Sequence, residues 1–279
     1  MHREKYLKII FDPFFIIGMV MTAVILLPAV IAPLLGVPGP EDMDFRPMSP
    51  PSSEHWLGVN DVGVDIFSEL AAGIGNTAFF GLIAGAATLI IGSVVGLVCA
   101  WYGRAVDLAL MRLSDVLLAV PSVLILILAA VFFRFSPTAV ALILAVLSWP
   151  TVAKVVRAQA RVARNGEHVQ VAHRMGASGF YILRRHVAPE LYPLYVVVFA
   201  AKVRMAMFME ASLSFLGLFD PGRPSLGMMI RRAVEYYYID AWLTWLVPPV
   251  ACLSLLIMSV TLAALGLERT FDPRLKEVV

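Results

Sequence analysis

Uncharged apolar stretches that are long enough to cross a lipid bilayer dominate this chain of 279 residues. The clearest of them, from Thr77 to Trp101, contains no charged side chain, and about 18 apolar residues are enough to span the hydrocarbon core. Hydrophobic residues make up 60% of the sequence and charged residues 15%, whereas about a quarter of a soluble domain is charged. The sequence therefore predicts an all-α polytopic membrane protein.

Polar segments divide the chain into six predicted spans. A basic arm at 1–13 precedes the first span, 14–35, whose apolar part is too long for a cleaved signal peptide and is read as an anchor. The segment 36–75 is rich in Pro and acidic residues, with Arg46 as its only Lys or Arg. The other five spans are predicted within 76–268, at 77–101, 108–133, 138–156, 191–218 and 241–267, with a polar loop at 157–189 and a polar tail at 269–279.

Lys and Arg are distributed unequally between the two sides of such a bundle. Fifteen of the 22 lie on the side of both termini and the 157–189 loop, and five lie on the other side. Because loops rich in Lys and Arg stay in the cytoplasm, we expect both termini and this loop to be cytoplasmic. The segment 36–75 is then extracytoplasmic.

Glycine and proline predict how the spans pack and bend. In the second span, Gly81 with Gly85 and Gly92 with Gly96 form Gly-x-x-x-Gly faces that allow a neighbouring helix to approach closely. Pro121 is predicted to bend the third span.

Charged residues within the spans are expected to face a cavity or each other. Arg112 and Asp115 are three residues apart and are predicted to pair on one helix face. In the fifth span, Glu210 is interpreted as architectural or pathway-lining. Lys202 and Arg204 either extend toward the cytoplasmic interface or form a basic lining for an anionic, carboxylate-bearing substrate.

Several classes of chemistry have no signature in this sequence. Neither a P-loop nor a serine-hydrolase elbow is present, so no catalytic residue is predicted. Cys99 and Cys252 lie in apolar stretches, and we expect no disulfide framework. Met205, Met207 and Met209 alternate and cannot share one helix face, so no metal site is predicted.

The 167–189 part of the cytoplasmic loop is amphipathic. Val169, Ala172, Met175 and Phe180 recur at helical spacing and predict one apolar face. The other face carries Glu167, His168, Gln170, His173 and Arg174. Such a segment is either a solvated loop or a surface that contacts a soluble partner.

Signatures along the whole chain resemble one family of transport proteins. In the loop, the family's coupling motif, Glu-Ala-Ala followed by Gly and by Ile-x-Leu-Pro, falls on Gln170, Val171, Ala172, Gly176, His186, Ala188 and Pro189, with strict matches at Ala172, Gly176 and Pro189. Further signatures lie at 50–58, 65–68, 111–121, 210–218 (Glu-Ala-Ser-Leu-Ser-Phe-Leu-Gly-Leu) and 272–275. The chain is similar to the second permease subunit of ABC importers of the dipeptide, oligopeptide and nickel family.

The resemblance implies a type I ABC importer permease fold with six transmembrane helices and a cytoplasmic coupling helix at 167–181. It implies a homologous second permease, two cytoplasmic ATP-binding subunits and an extracytoplasmic solute-binding protein as partners in a bacterial or archaeal inner membrane, with no role for nucleic acid. ATP and Mg would bind the partner ATPases, so this chain would need no cofactor and would have no catalytic site. The residues expected to couple to the ATPases are Glu167, Gln170, Val171, Ala172, Arg174, Gly176 and Pro189.

Within the coupling motif, three positions carry specific expectations. Gly176 is expected to allow a turn where a side chain would clash, and Pro189 to mark the start of the fifth span. Gln170 stands where the family has glutamate, which removes a charge that could pair with an ATPase arginine.

Other functions remain open at this point. A nickel or metal-chelate permease of the same family would have the same architecture, and the substrate does not follow from the sequence. An ion-coupled secondary transporter would need inverted repeats, and a membrane-embedded enzyme would need paired acids or histidines inside the spans.

Overall fold

The computed structural model describes residues 12–34, 39–133, 136–219, 222–239 and 242–271 of the chain. The basic residues of the predicted arm, most of the predicted tail and the 272–275 signature lie outside these residues. Within the described part the backbone is almost entirely helical, and its only β-type pairing is an isolated bridge between Val59 and Asp65.

Helices of very different lengths make up this part of the chain. In chain order they are α1 (Pro13–Leu34), α2 (Ile66–Tyr102), α3 (Arg104–Ala119), α4 (Ser122–Phe132), α5 (Pro137–Arg164), α6 (Glu167–Arg174), α7 (Gly179–Ile182), a π-helical turn (Leu183–Val187), α8 (Ala188–Glu190), α9 (Tyr192–Phe215), α10 (Leu226–Glu235), α11 (Trp242–Trp245) and α12 (Val247–Phe271).

The number of membrane spans depends on two bent helix pairs. Four described helical stretches are long and apolar enough to cross a membrane alone: Pro13–Leu34, Ile66–Tyr102, Pro137–Arg164 and Trp242–Arg269. The pair α3 and α4 bends by 71°, and Gly179–Glu190 bends by 67° against α9. The described chain therefore has up to six spans, as the sequence predicts.

The third predicted span, 108–133, is two helices and not one. α3 ends at Ala119 and α4 begins at Ser122. Pro121 lies in the break between them, because its ring removes a backbone donor and disfavours the helical conformation of the residue before it. The predicted bend at Pro121 is confirmed.

α2 begins well before the predicted start of the second span at 77. Asp65 caps the helix, since its Oδ1 accepts a hydrogen bond from the Ser68 backbone N–H at 2.8 Å. The first turns bury Ile66 and Ile74 in a core cluster with residues of α9 to α12. This part of α2 is therefore stabilised by contact with other helices of the protein, which apolar length alone does not indicate.

The segment 39–65 packs over the start of α2. Glu69 is only 2% exposed, and its two carboxylate oxygens accept hydrogen bonds from Asn60 Nδ2 at 2.9 Å and from Arg232 Nη1 at 3.1 Å. A buried carboxylate needs such partners. The segment is thus a fixed part of the end of the bundle at which α2 begins.

Both Gly-x-x-x-Gly faces of α2 are in close contact with other helices. A Cβ on Gly85 would lie 2.6 Å from Val203 Cγ2 of α9, and a Cβ on Gly92 would lie 2.5 Å from Val152 Cβ of α5. Gly96 is equally close to the backbone of α5. The predicted close approach is confirmed, and α2 is packed tightly against both α5 and α9.

Replacing Gly96 should therefore separate α2 from α5. In Gly96→Ala the new methyl would lie 2.7 Å from the Ala153 carbonyl oxygen, and we expect a loss of about 1–3 kcal/mol of stability. The matched control is Gly75→Ala, where the methyl meets only Ala29 Cβ at 3.5 Å and helix propensity improves. Thermal unfolding in detergent measures both variants, and equal melting temperatures would contradict the packing argument.

Candidate coupling site and polar groups within the bundle

The segment 167–190 sits at the end of α5 and is anchored by several buried side chains. Val169, in α6, is 3% exposed and belongs to a core cluster that also contains Val156, Ile182 and Val187. Ala172 packs against the same cluster. This face of α6 holds the segment against the helices of the bundle.

The predicted apolar face does not continue beyond α6. Met175 and Phe180 were expected to share it, but they are 82% and 73% exposed. The reason is that α6 ends at Arg174 and Gly176 has a φ of +84°, so the helical spacing stops there. The prediction for Met175 and Phe180 is wrong.

Gly176 is required for its backbone conformation and not for space. A Cβ at this position would meet nothing within 4 Å, which corrects the expectation of a clash. The left-handed region strains any residue with a Cβ, and glycine adopts it freely. Gly176 therefore sets the direction of the chain between α6 and α7.

The remaining candidate coupling residues lie on the exposed side of the segment or at its end. Val171 is 55% exposed, and Glu167 and Arg174 are also exposed. Gln170 is exposed as well, and its Nε2 donates to the Asn165 carbonyl oxygen at 3.1 Å. Pro189 lies in α8, just before the 67° bend into α9.

An ion cluster that the sequence analysis missed fastens α3 to α5 near this segment. The buried Asp107 carboxylate accepts hydrogen bonds from Arg157 Nε and Nη2, and from Arg161 Nη2 at 2.5 Å. The available signal was the spacing of Arg157, Arg161 and Arg164, which places all three on neighbouring faces of one helix.

Arg164 continues this attachment to the end of α2. Its Nη1 donates to the carbonyl oxygens of Ala100 and Trp101 at 2.9 Å, and its guanidinium lies 5.0 Å from the Trp101 ring centre. Gly179 of α7 packs directly on the same ring, because a Cβ there would lie 2.5 Å from Trp101 Nε1. The candidate coupling segment is therefore bound to the ends of α2 and α5.

The predicted pair of Arg112 and Asp115 is replaced by a pair between helices. Asp115 Oδ1 accepts a hydrogen bond from Lys154 Nζ of α5 at 2.8 Å, and Arg112 makes no ion pair within 4 Å in the described chain. Sequence spacing identified possible partners within α3, but the packing of α5 brings Lys154 closer to the carboxylate.

Lys202 and Arg204 contact different helices. Lys202 Nζ donates to Thr151 Oγ1 of α5 at 2.6 Å, whereas Arg204 Nη1 donates to Thr261 Oγ1 of α12 at 3.0 Å. Two residues on a helix are about 200° apart, which explains the divergence. The two side chains do not form the single basic lining that the sequence suggested.

Glu210 joins α9 to α2. It is 5% exposed, and its carboxylate oxygens accept hydrogen bonds from Thr77 Oγ1 at 2.9 Å and Ser214 Oγ at 2.7 Å. It also borders a cavity of about 130 Å³ lined by Asn76, Phe80 and other residues of α2 and α5, and by Phe219 and residues 223–225. These contacts support an architectural role.

Comparison with known proteins places the chain in one family. Residues 88–277 match the family described as binding-protein-dependent transport system inner membrane component. The chain belongs to this family. Membership in a family of inner-membrane subunits explains why the chain has several long apolar helices. The all-α permease fold predicted from the sequence is confirmed.

Relatives and a solved structure agree with this membership. A putative peptide transport system permease protein of Brucella suis is 33% identical over 94% of this chain and 88% of its own length. The oligopeptide transport system permease protein of Bacillus subtilis is 28% identical over 94% and 86%. A glutathione transport system permease protein of Pectobacterium atrosepticum is 33% identical over 81% and 75%. A chain of the inward-facing MetNI methionine ABC transporter shares the fold, with a TM-score of 0.59 and 18% identity over 73% of this chain and 96% of that chain.

The backbone at Gly176 should control how firmly this segment is held. Gly176→Ala should cost about 1–2 kcal/mol, because alanine is strained at this positive φ, and amides in 167–187 should exchange faster with deuterium. Gly176→Asn should have a smaller effect, since asparagine tolerates this region better. Hydrogen exchange followed by mass spectrometry measures both, and an alanine variant as protected as the unaltered protein would contradict the role of φ.

Proposed function

We propose that this chain is one permease subunit of an ATP-driven importer and forms half of the translocation pathway for peptides or a related small solute. The observation that carries the proposal is the exposed 167–181 segment, fastened to the bundle in a member of this permease family. The relatives named for peptide, oligopeptide and glutathione transport support that substrate class. They favour it over the nickel alternative.

The surface for the ATPase is the exposed side of the segment. Val171 and Met175 expose apolar surface beside the charged Glu167 and Arg174, and apolar contacts surrounded by charges are typical of a protein interface. The positive-inside distribution of Lys and Arg supports a cytoplasmic position for it. ATP and Mg would bind the partner ATPases, and this chain would contribute no catalytic group.

Movement of the ATPase would reach the membrane through rigid contacts. Val169 shares a buried cluster with Val156 of α5 and Val187 of the π-helical turn, and His168 Nε2 of α6 lies 3.6 Å from the Glu190 carboxylate of α8. A displacement of α6 would therefore be passed to α5 and to the bend before α9. Tilting of packed helices about such a bend is a common form of conformational switching.

The remaining partners follow from the same proposal. A homologous permease would cover the exposed face of α3, α5 and α9, which carries charged groups. A solute-binding protein would deliver the substrate to the outer end, where the segment 39–65 is packed. An ion-coupled secondary transporter, the alternative from another class, finds no support in the family membership.

Removing the apolar contacts of the segment should uncouple the ATPase. In the double variant Val171→Glu with Met175→Glu, we expect the ATPase subunits to stop co-purifying and ATP-driven uptake to fall by about tenfold or more, because desolvated interface positions do not accept carboxylates. Affinity purification from membranes and uptake into proteoliposomes measure the two effects.

The matched control is Met43→Glu, which alters another exposed methionine, 61% exposed, in the outer segment. This variant should retain the ATPase subunits. Full recovery of the ATPase with the double variant would remove 167–181 as the contact surface and, with it, the main support for the proposal.

A further inference from the structure

Two exposed faces of the bundle differ in polarity. The exposed side chains of α1 are apolar, including Val20, Val24, Leu27 and Val30, as expected for contact with lipid. The exposed face shared by α3, α5 and α9 carries charged groups. Because a charge in contact with hydrocarbon is costly, that second face must be covered by water or by protein.

On this second face the charges of Lys154 and Asp115 compensate each other. Their side chains are 40% and 54% exposed, and they form an ion pair at 2.8 Å. Each charge has an opposite charge beside it. No external group is needed to compensate either one.

Lys202, on the same face, carries a positive charge that no nearby carboxylate in the described chain compensates. Its ammonium donates to the Thr151 hydroxyl oxygen, and the Thr151 hydroxyl donates in turn to the Ser148 carbonyl oxygen at 3.0 Å. In the described chain no carboxylate lies within 4 Å of Lys202. An ammonium has three N–H donors, and one of them bonds to Thr151. The other two are therefore available to a ligand, while the bond to Thr151 keeps the ammonium in place.

The packing of α2 fixes this place. Val152 and Val203, the chain neighbours of Thr151 and Lys202, are the residues in close contact with Gly92 and Gly85. Lys202 is ten residues after the start of α9, about 15 Å along the helix. That distance is longer than a lysine side chain, so Lys202 does not reach the cytoplasmic end of its helix.

We infer that the Lys202 ammonium binds a carboxylate of the transported solute. This inference rests on the proposed function. Every peptide with a free C-terminus carries a carboxylate at that end whatever its sequence, so a single ammonium that recognises this group suits a pathway for peptides of varied sequence. Arg204 takes no part, because its guanidinium points to Thr261 of α12.

Transport by the assembled complex tests the inference. The complex is reconstituted in proteoliposomes with its ATPase subunits and solute-binding protein, and ATP-driven uptake of trialanine and of trialanine amide is measured. Lys202→Met should lower trialanine uptake about tenfold, because a charged hydrogen bond is lost. Trialanine amide lacks the carboxylate, so Lys202→Met and the unaltered complex should take up the amide equally well.

The matched control removes the other cation of α9. Arg204→Met should leave the ratio of trialanine uptake to amide uptake unchanged. A chemical rescue distinguishes the loss of the charge from a folding defect. The variant is Lys202→Cys in a chain whose Cys99 and Cys252 are replaced by Ser. Reaction with 2-aminoethyl methanethiosulfonate restores an ammonium at residue 202 and should restore trialanine uptake. The sulfonate reagent of similar length should not.

Three results would overturn the inference, and they are distinguishable. Trialanine uptake by Lys202→Met within about twofold of the unaltered complex would show that the ammonium does not bind the substrate. Loss of the second permease from purified Lys202→Met would show that Lys202 instead pairs with an acid of that subunit. An assembled, ATP-hydrolysing unaltered complex that takes up neither peptide would refute peptides as the substrate class of the proposed function.

Discussion

The close approach of α5 and α9 to α2 is the contact on which the rest of the structure depends. In a membrane, helices gain little from burying apolar surface, because lipid is equally apolar, so association relies on tight packing and on polar contacts. The glycines of α2 provide the tight packing, with Val203 against Gly85 and Val152 against Gly92. The polar contacts follow from it, since Thr77 then reaches Glu210 and Thr151 reaches Lys202.

Part of this architecture could be predicted because it depends on residues that are close together in the sequence. The presence of long apolar helices follows from apolar length, and the close helix pairs follow from the spacing of Gly81, Gly85, Gly92 and Gly96. What could not be predicted depends on contacts distant in sequence. The early start of α2 requires the segment 39–65 to cover Glu69, and the pairing of Asp115 requires α5 to bring Lys154 beside it.

In the candidate site, too, sequence patterns predicted some features and other features became apparent only in the structure. Amphipathic spacing correctly marked Val169 and Ala172 as the buried side of α6, but it failed at Met175, because a helical period has no meaning beyond the left-handed turn at Gly176. Glycine in a motif indicates an unusual backbone, and only the structure separates a need for positive φ from a need for space. Lys202 and Arg204 looked equivalent in the sequence, yet helical geometry directs them to different neighbours.

The candidate coupling segment and the proposed carboxylate site are connected by the helices they share. α5 carries Arg157 and Arg161, which fasten its C-terminal half to Asp107, and it also carries Thr151, which holds the Lys202 ammonium. α9 carries Lys202 and begins at the bend that follows α8. A displacement of the segment therefore acts on both partners of the Lys202–Thr151 hydrogen bond. Since a ligand and a conformational change influence each other reciprocally, an ammonium at this junction would link the release of an anionic solute to the state of the ATPase without any direct contact between the two.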